Sequence, residues 1–249
     1  MTHLLTVSDL AAGYGGPPAL EHVTFTVEPG QRVAVLGPNG GGKTTLFRVL
    51  LGELTPSAGT VQRPERAALV PQTERSRLDF PVSALDVALM GAVARSEWWR
   101  RPGRAERARA AEALTAVGLA DRAETTFGDL SGGQRQRVLV ARALVQDAEV
   151  MLLDEPFTGL DTVSAANLEE LLGRLAGEGR ALLVATHDVE QARRFDRVLC
   201  LHGEQIAFGA PGEVLTPDVL AATYGGELVR LPDEPGLCVL PPHHHDHPH

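Results

Sequence analysis

Nine consecutive residues, Gly37-Pro38-Asn39-Gly40-Gly41-Gly42-Lys43-Thr44-Thr45, restrict what this chain can fold into more than any others. They fit the phosphate-binding template G-x-x-x-x-G-K-[ST], with Gly37 first, Gly42 second, then Lys43 and Thr44. A triphosphate needs backbone N–H groups pointed inward, and only a loop with little side-chain bulk lets the backbone come that close. Such a loop has to leave a buried strand and open a helix, whose N-terminal N–H groups and dipole also favour phosphate. Both neighbours are legible. Gln31-Arg32-Val33-Ala34-Val35-Leu36 reads as a buried strand, and 44–51 reads as a helix ended by Gly52. Lys43 can reach terminal phosphates, and the Thr44 hydroxyl can ligate Mg²⁺. The motif leaves open what the nucleotide is used for.

Strand signals alternate with helix signals along the rest of the chain. Leu4–Leu10 and Leu20–Val27 read as strands, the second with His22, Thr24 and Thr26 alternating against Val23, Phe25 and Val27. Short strands are expected around 59–61 and 67–70, leading to Pro71-Gln72. The segment from about 73 to 146 differs: it is rich in Ala, Arg and Glu and poor in β-branched residues. Helices are expected there at 83–91, 104–117 and 131–146, with Ser131 as an N-cap. Strands return at 148–153, 180–185, 198–201 and 205–208, with a helix at 163–175 and another headed by His187-Asp188. This alternation implies an α/β fold with a mostly parallel sheet covered on both faces, and a helical subdomain inserted into it. After Tyr224 the composition turns to Pro, Gly and charge, so 225–249 reads as a tail.

The net charge of −9 argues against a nucleic-acid or anionic-lipid partner. Two cysteines, Cys200 and Cys238, make no disulfide framework and suit a reducing compartment. The N-terminus lacks the basic start and long apolar run of a secretion signal. The longest apolar runs are strand-sized, well short of the roughly 20 residues that cross a bilayer. If the chain serves a membrane process, another chain supplies the membrane part.

A phosphate loop needs a carboxylate at the end of a second strand. Met151-Leu152-Leu153 runs into Asp154-Glu155-Pro156, where Asp154 can hold Mg²⁺ through water and Glu155 can deprotonate a water facing a γ-phosphate. Upstream, Leu130-Ser131-Gly132-Gly133-Gln134-Arg135-Gln136-Arg137 places Ser131, Gly132 and Gly133 at a helix N-terminus, a second anion site made of N–H groups and a dipole. This stretch resembles the signature motif of the ATP-binding cassette (ABC) ATPases, and the resemblance runs from about Leu4 to Tyr224. It implies a P-loop NTPase core of the ABC type, with an N-terminal antiparallel β element and a helical subdomain at about 73–146. It implies ATP and Mg²⁺ as cofactors, with Thr44, Gln72 and Asp154 as the metal-facing residues. Tyr14 matches the aromatic that stacks on adenine, and Gln72 the glutamine that contacts Mg²⁺ and faces a membrane partner. Asp161, in Gly159-Leu160-Asp161, matches the loop that crosses a dimer interface, and His187 the switch histidine that contacts the γ-phosphate. Gln134 completes the signature, which in this family binds the ATP held by another subunit's phosphate loop. One chain carries one set of motifs, so a homodimer joined by ATP is expected. Gly41 stands where many relatives carry Ala or another small residue, and Thr44 keeps the hydroxyl of the commoner Ser. With Glu155 present, hydrolysis is expected.

A lone cassette resembles the separate ATPase subunit of a bacterial importer. It implies integral membrane permease partners, a substrate-binding protein acting at one remove, and a place on the inner face of the cell membrane. Ser96-Glu97-Trp98-Trp99-Arg100-Arg101-Pro102 resembles a segment of zinc- and manganese-importer ATPases. Adjacent tryptophans suit a docking surface, or simply packing inside the subdomain. His243, His244, His245, His247 and His249 suit Zn²⁺; an expression tag and a polar tail with adventitious metal affinity are the alternatives. Zinc or manganese import is the expected function. Import of an iron chelate, haem or cobalamin is the alternative within the class, and a cytosolic metal-responsive ATPase the alternative outside it.

Overall fold

The computed structural model of the chain describes residues 3–72, 81–93, 102–225, 229–230 and 238–239. Trp98, Trp99 and the histidines of 243–249 lie outside the described residues.

The centre is a six-stranded sheet in the order β5–β6–β7–β3–β8–β9. Its strands are β3 (Arg32–Leu36), β5 (Ala67–Val70), β6 (Val150–Asp154), β7 (Ala181–Thr186), β8 (Arg197–Leu201) and β9 (Gln205–Gly209). Five run parallel, and β9 closes one edge antiparallel to β8 as a hairpin. A smaller antiparallel sheet, β2–β1–β4, is built from β1 (Leu5–Ala12), β2 (Leu20–Val27) and β4 (Ala58–Gln62). Both the mostly parallel sheet and the antiparallel N-terminal element agree with the expected class.

The parallel strands are apolar at nearly every position because both faces are covered. Alternation decides which face each residue serves. Val33 and Val35, Val150 and Leu152, and Ala181, Leu183 and Ala185 join a core shared with β1, β2 and the helix α1 (Lys43–Leu51). Met151, Leu153, Leu182 and Val184 face the opposite core, built on the helices α2 (Ala84–Val93), α3 (Arg104–Ala116), α4 (Gly132–Val145) and α5 (Thr162–Gly177). Ala34, Leu36, Val198 and Cys200 meet a third cluster from α6 (Val189–Ala192), α7 (Pro211–Val214) and α8 (Pro217–Tyr224).

The helices start where their caps are. Ser83 closes a reciprocal cap with Asp86, its Oγ donating to Oδ2 at 2.7 Å and accepting from the Asp86 N–H at 3.1 Å. Ser131 does the same with Gln134, whose Oε1 accepts the Ser131 N–H at 2.9 Å. The helix expected after His187 is only four residues long, and its cap is Asp188, which accepts from the Gln191 N–H at 3.0 Å. His187 is therefore not spent as a cap.

Candidate active site

Parallel register gathers the chemistry. Leu36 pairs with Thr186, Asp154 with Ala185, and Val70 with Leu153, so β3, β7, β6 and β5 all end at one edge. The loop 37–45, His187, Asp154-Glu155 and Gln72 are the residues that follow those ends. In open α/β sheets this carboxyl edge is where ligands bind.

The phosphate loop is held by its own backbone and by the β8–β9 turn. Gly41 N–H donates to the Pro38 carbonyl at 3.0 Å, and Gly203 N–H to the Gly41 carbonyl at 3.2 Å. A Cβ on Gly37 would collide with the Leu201 carbonyl oxygen, so glycine is required there by close approach. Gly40 and Gly42 take φ of 80° and 97°. Asn39 and Gly40 are exposed, while Lys43 and Thr45 are buried. Lys43 folds back so that Nζ donates to the Gly37 and Pro38 carbonyls. Burial pushes its pKa down, and the nearby Glu155 and Asp154 carboxylates oppose that. A buried ammonium that, among the described residues, donates to two carbonyl oxygens and is opposed in its desolvation by the Glu155 and Asp154 carboxylates is incompletely compensated. An anion seated in the loop would relieve it, so the residues fit a triphosphate.

The second carboxylate strand gives Glu155 a specific setting. Its φ is 46°, a left-handed conformation that costs a non-glycine residue about 1–3 kcal/mol. The turn is held by the Glu155 N–H donating to the Ala185 carbonyl at 3.1 Å. Thr158 Oγ1 donates to Glu155 Oε2 at 3.2 Å, and His187 Nδ1 lies 3.7 Å from the same oxygen. The last distance is an ion-pair contact, longer than a hydrogen bond. His187 is the main cause that holds the Glu155 carboxyl below its ordinary pKa, with Thr158 adding to it against burial. Glu155 in turn raises the His187 imidazole. The Glu155 side chain is 20% exposed and that of His187 62%, so the carboxylate is sheltered and the ring is accessible. Together with Thr186, Asp188 and Gln191 they line a cavity of about 220 Å³. Thr186 Oγ1 donates to Gln191 Oε1 at 2.8 Å, which fixes the wall behind His187.

The sign of the pH dependence follows. Glu155, with a lowered pKa, contributes stability above its unfolded value and loses it as pH falls through the folded value. His187, with a raised pKa, contributes below its unfolded value and loses it as pH rises through the folded value. The pair is intact between the two. A catalytic base held low works further into acid. Thr158→Val removes the Thr158 hydrogen bond that helps lower the Glu155 pKa and, with Glu155 as the proposed base, is expected to move the acid limb of kcat/KM to higher pH. A pH–rate profile checks this, and an unchanged acid limb would show that Thr158 does not tune the carboxylate.

The other expected residues form a second group. Asp161 caps α5, its Oδ1 accepting the Ser164 N–H at 2.9 Å and its Oδ2 the Ser164 hydroxyl at 2.7 Å. A Cβ on Gly133 would sit 2.6 Å from Ser164 Cβ and Oγ, so the Ser131–Gln134 turn and the Asp161 turn are packed together. Among the described residues, no three or more His, Cys, Asp or Glu side chains are grouped to hold a metal. A Mg²⁺ ion suits this site nonetheless, because it needs only one or two carboxylates and completes its shell with neutral oxygens, phosphates and water. Thr44, exposed at the first turn of α1, Asp154 and Gln72 are the residues that would hold it. Thr158, Gln191 and Arg48 went unread in the sequence. Only Thr158 had a local signal, a hydroxyl three residues after a strand-ending carboxylate.

Comparison with known proteins agrees with this fold. The profile described as ABC transporter matches residues 20–158. The manganese transport system ATP-binding protein MntB of Halalkalibacterium halodurans is 38% identical, over 96% of this chain and 99% of its own length. The zinc transport system ATP-binding protein TroB of Treponema pallidum is 40% identical over 91% and 88%. Among solved structures, a metal-chelate type ABC transporter in an inward-facing conformation superposes with a TM-score of 0.82 at 31% identity, covering 89% of each chain. The chain belongs to the ABC transporter family, as an ATP-binding cassette that hydrolyses ATP.

Proposed function

We propose that this cassette is the ATPase subunit of a bacterial importer for manganese or zinc. The observation that carries the reaction is the meeting of the buried Lys43, the sheltered Glu155 and the accessible His187 at one sheet edge. The metal substrate is supported by relatives named for manganese and zinc transport that match over nearly their whole length.

In this reading the loop N–H groups and Lys43 bind the β- and γ-phosphates, and Lys43 exchanges its carbonyl partners for phosphate oxygens. Glu155 accepts the proton of the attacking water, and His187 contacts the γ-phosphate and orients that water. Mg²⁺, when bound, neutralises phosphate charge. Gln72, at the end of β5, faces the metal and the membrane partner, and Tyr14 stacks on adenine. Ser131, Gly132, Gly133 and Gln134 bind the ATP of a second copy, with Asp161 crossing between the two. ATP thus closes a homodimer, and hydrolysis opens it. Residues 1–224 form the cassette, and the helical segment at about 73–146 docks on integral membrane permease subunits at the inner face of the membrane. A substrate-binding protein outside delivers the ion. Among the described residues no helix is long and apolar enough to cross a membrane.

The test is reconstitution with a permease in vesicles, with ATP inside the cassette compartment. Uptake of Mn²⁺ or Zn²⁺ that depends on ATP supports the reading, and a cassette that associates with no permease overturns it. The likeness to a metal-chelate type transporter keeps uptake of an iron chelate as the second substrate to assay. The tail histidines at 243–249 are proposed as a zinc-binding segment. Zinc titration is expected to show sites in the full chain that are lost in a chain ending at Pro242, and equal binding by both removes the tail from metal handling.

A further inference from the structure

Tyr14 is 57% exposed, an unusual position for a large ring among the described residues. An exposed ring on a Gly- and Pro-rich loop would ordinarily sample many orientations, yet this one is held from α1 at more than one point. Arg48 lays its guanidinium over the ring face, Cζ lying 5.5 Å from the centroid, inside the range of a cation–π contact. Arg48 Nη1 also donates to the Tyr14 hydroxyl at 3.5 Å. The same hydroxyl lies 3.4 Å from Thr45 Oγ1, and Thr45 is buried in the first turn of α1 beside Lys43 and Thr44. An arginine in the last turn of a helix gains from the dipole wherever its head points. Its placement over an aromatic face is what the dipole does not explain.

We propose that Arg48 is a positioning residue for nucleobase recognition: it covers one face of Tyr14 so that the opposite face is presented to the adenine of ATP. The inference rests on the reading of Tyr14 as the base-stacking aromatic. The stack then runs guanidinium, phenol, adenine. Each layer is tied to α1, so the base is held at a set distance from the phosphates gripped by the same helix. Because Arg48 acts through Tyr14, its loss weakens ground-state and transition-state binding alike, which raises KM and leaves kcat.

The experiment uses the full chain and its Arg48→Ala, Arg48→Lys, Tyr14→Ala and doubly substituted variants, with ATP and with inorganic triphosphate, a probe that has no base. Arg48→Ala is expected to raise KM for ATP by about two- to fivefold, with kcat little changed. Triphosphate affinity is expected to stay at the parental value, and Arg48→Lys to recover part of the loss, since an ammonium can also sit over the ring. On the Tyr14→Ala background the Arg48 substitution is expected to add nothing. Equal losses of ATP and triphosphate would mean that Arg48 serves the phosphates. An Arg48 effect that persists without Tyr14, or an ATP KM that does not move, would also overturn the proposal. Tyr14→Ala with parental ATP affinity would instead sink the base-stacking reading, independently of Arg48.

Discussion

Glu155→Gln is expected to keep ATP binding and to lose hydrolysis by about 10²–10⁴-fold, the range for removing a general base. The substitution keeps the size and shape of the side chain and its left-handed backbone. A carboxamide oxygen can still accept from the Thr158 hydroxyl, which now lies 3.2 Å from Glu155 Oε2. What is lost is an oxygen that can take a proton from water. The His187 contact at 3.7 Å also loses its charge partner, so the imidazole is no longer raised by Glu155. Under the proposed cycle, ATP then closes two copies without release. Size-exclusion chromatography with ATP and Mg²⁺ should show a dimer that ages into monomer far more slowly than the parental chain. A variant that hydrolyses ATP at the parental rate would show that the base is elsewhere.

Lys43→Ala is expected to lower kcat/KM by at least about 10²–10³-fold, the cost of losing one preorganised charge-stabilising donor. The fold should survive. Lys43 is buried, and burial already disfavours its charge, so alanine removes a desolvated cation. Against that, the Gly37 and Pro38 carbonyls lose their donor. These effects oppose one another, and the nucleotide-free stability is expected to move by only about 1–2 kcal/mol. Binding separates from folding in a thermal melt. ATP should raise the melting temperature of the parental chain by clearly more than that of the variant. A variant stabilised by ATP as much as the parental chain would place the phosphates away from Lys43.

Most of the elements were legible, and for local reasons. Leu20–Val27 reads as a strand by alternation, and Ser131 and Ser83 announce their helices because a capping residue acts within three residues. The phosphate loop is legible because its demands are backbone demands that only glycine meets. The helix after His187 was less legible: its cap lies one residue later, at Asp188, and it lasts a single turn. Strand order was not legible at all. β7 lies between β3 and β6, so the phosphate loop and the carboxylate strand are not neighbours in the sheet. Apolar runs buried on both faces look alike, and nothing in Val150–Leu153 or Ala181–Ala185 states its partner.

The site divides in the same way. The residue types came from the chain: a lysine after glycines, an acid after an apolar strand, a serine before a glycine pair. Their mutual geometry came from parallel pairing between segments far apart in the chain, Leu36 with Thr186 and Asp154 with Ala185, which brings Lys43, Glu155 and His187 to one edge. The same holds for His187 reaching the Glu155 carboxylate, and for Arg48 lying over Tyr14 from 34 positions away. Caps and glycine turns act over a few bonds, so the residues themselves state them. Contacts between distant segments depend on loop closure and on the packing of both sheet faces, so they exist only once the chain is folded.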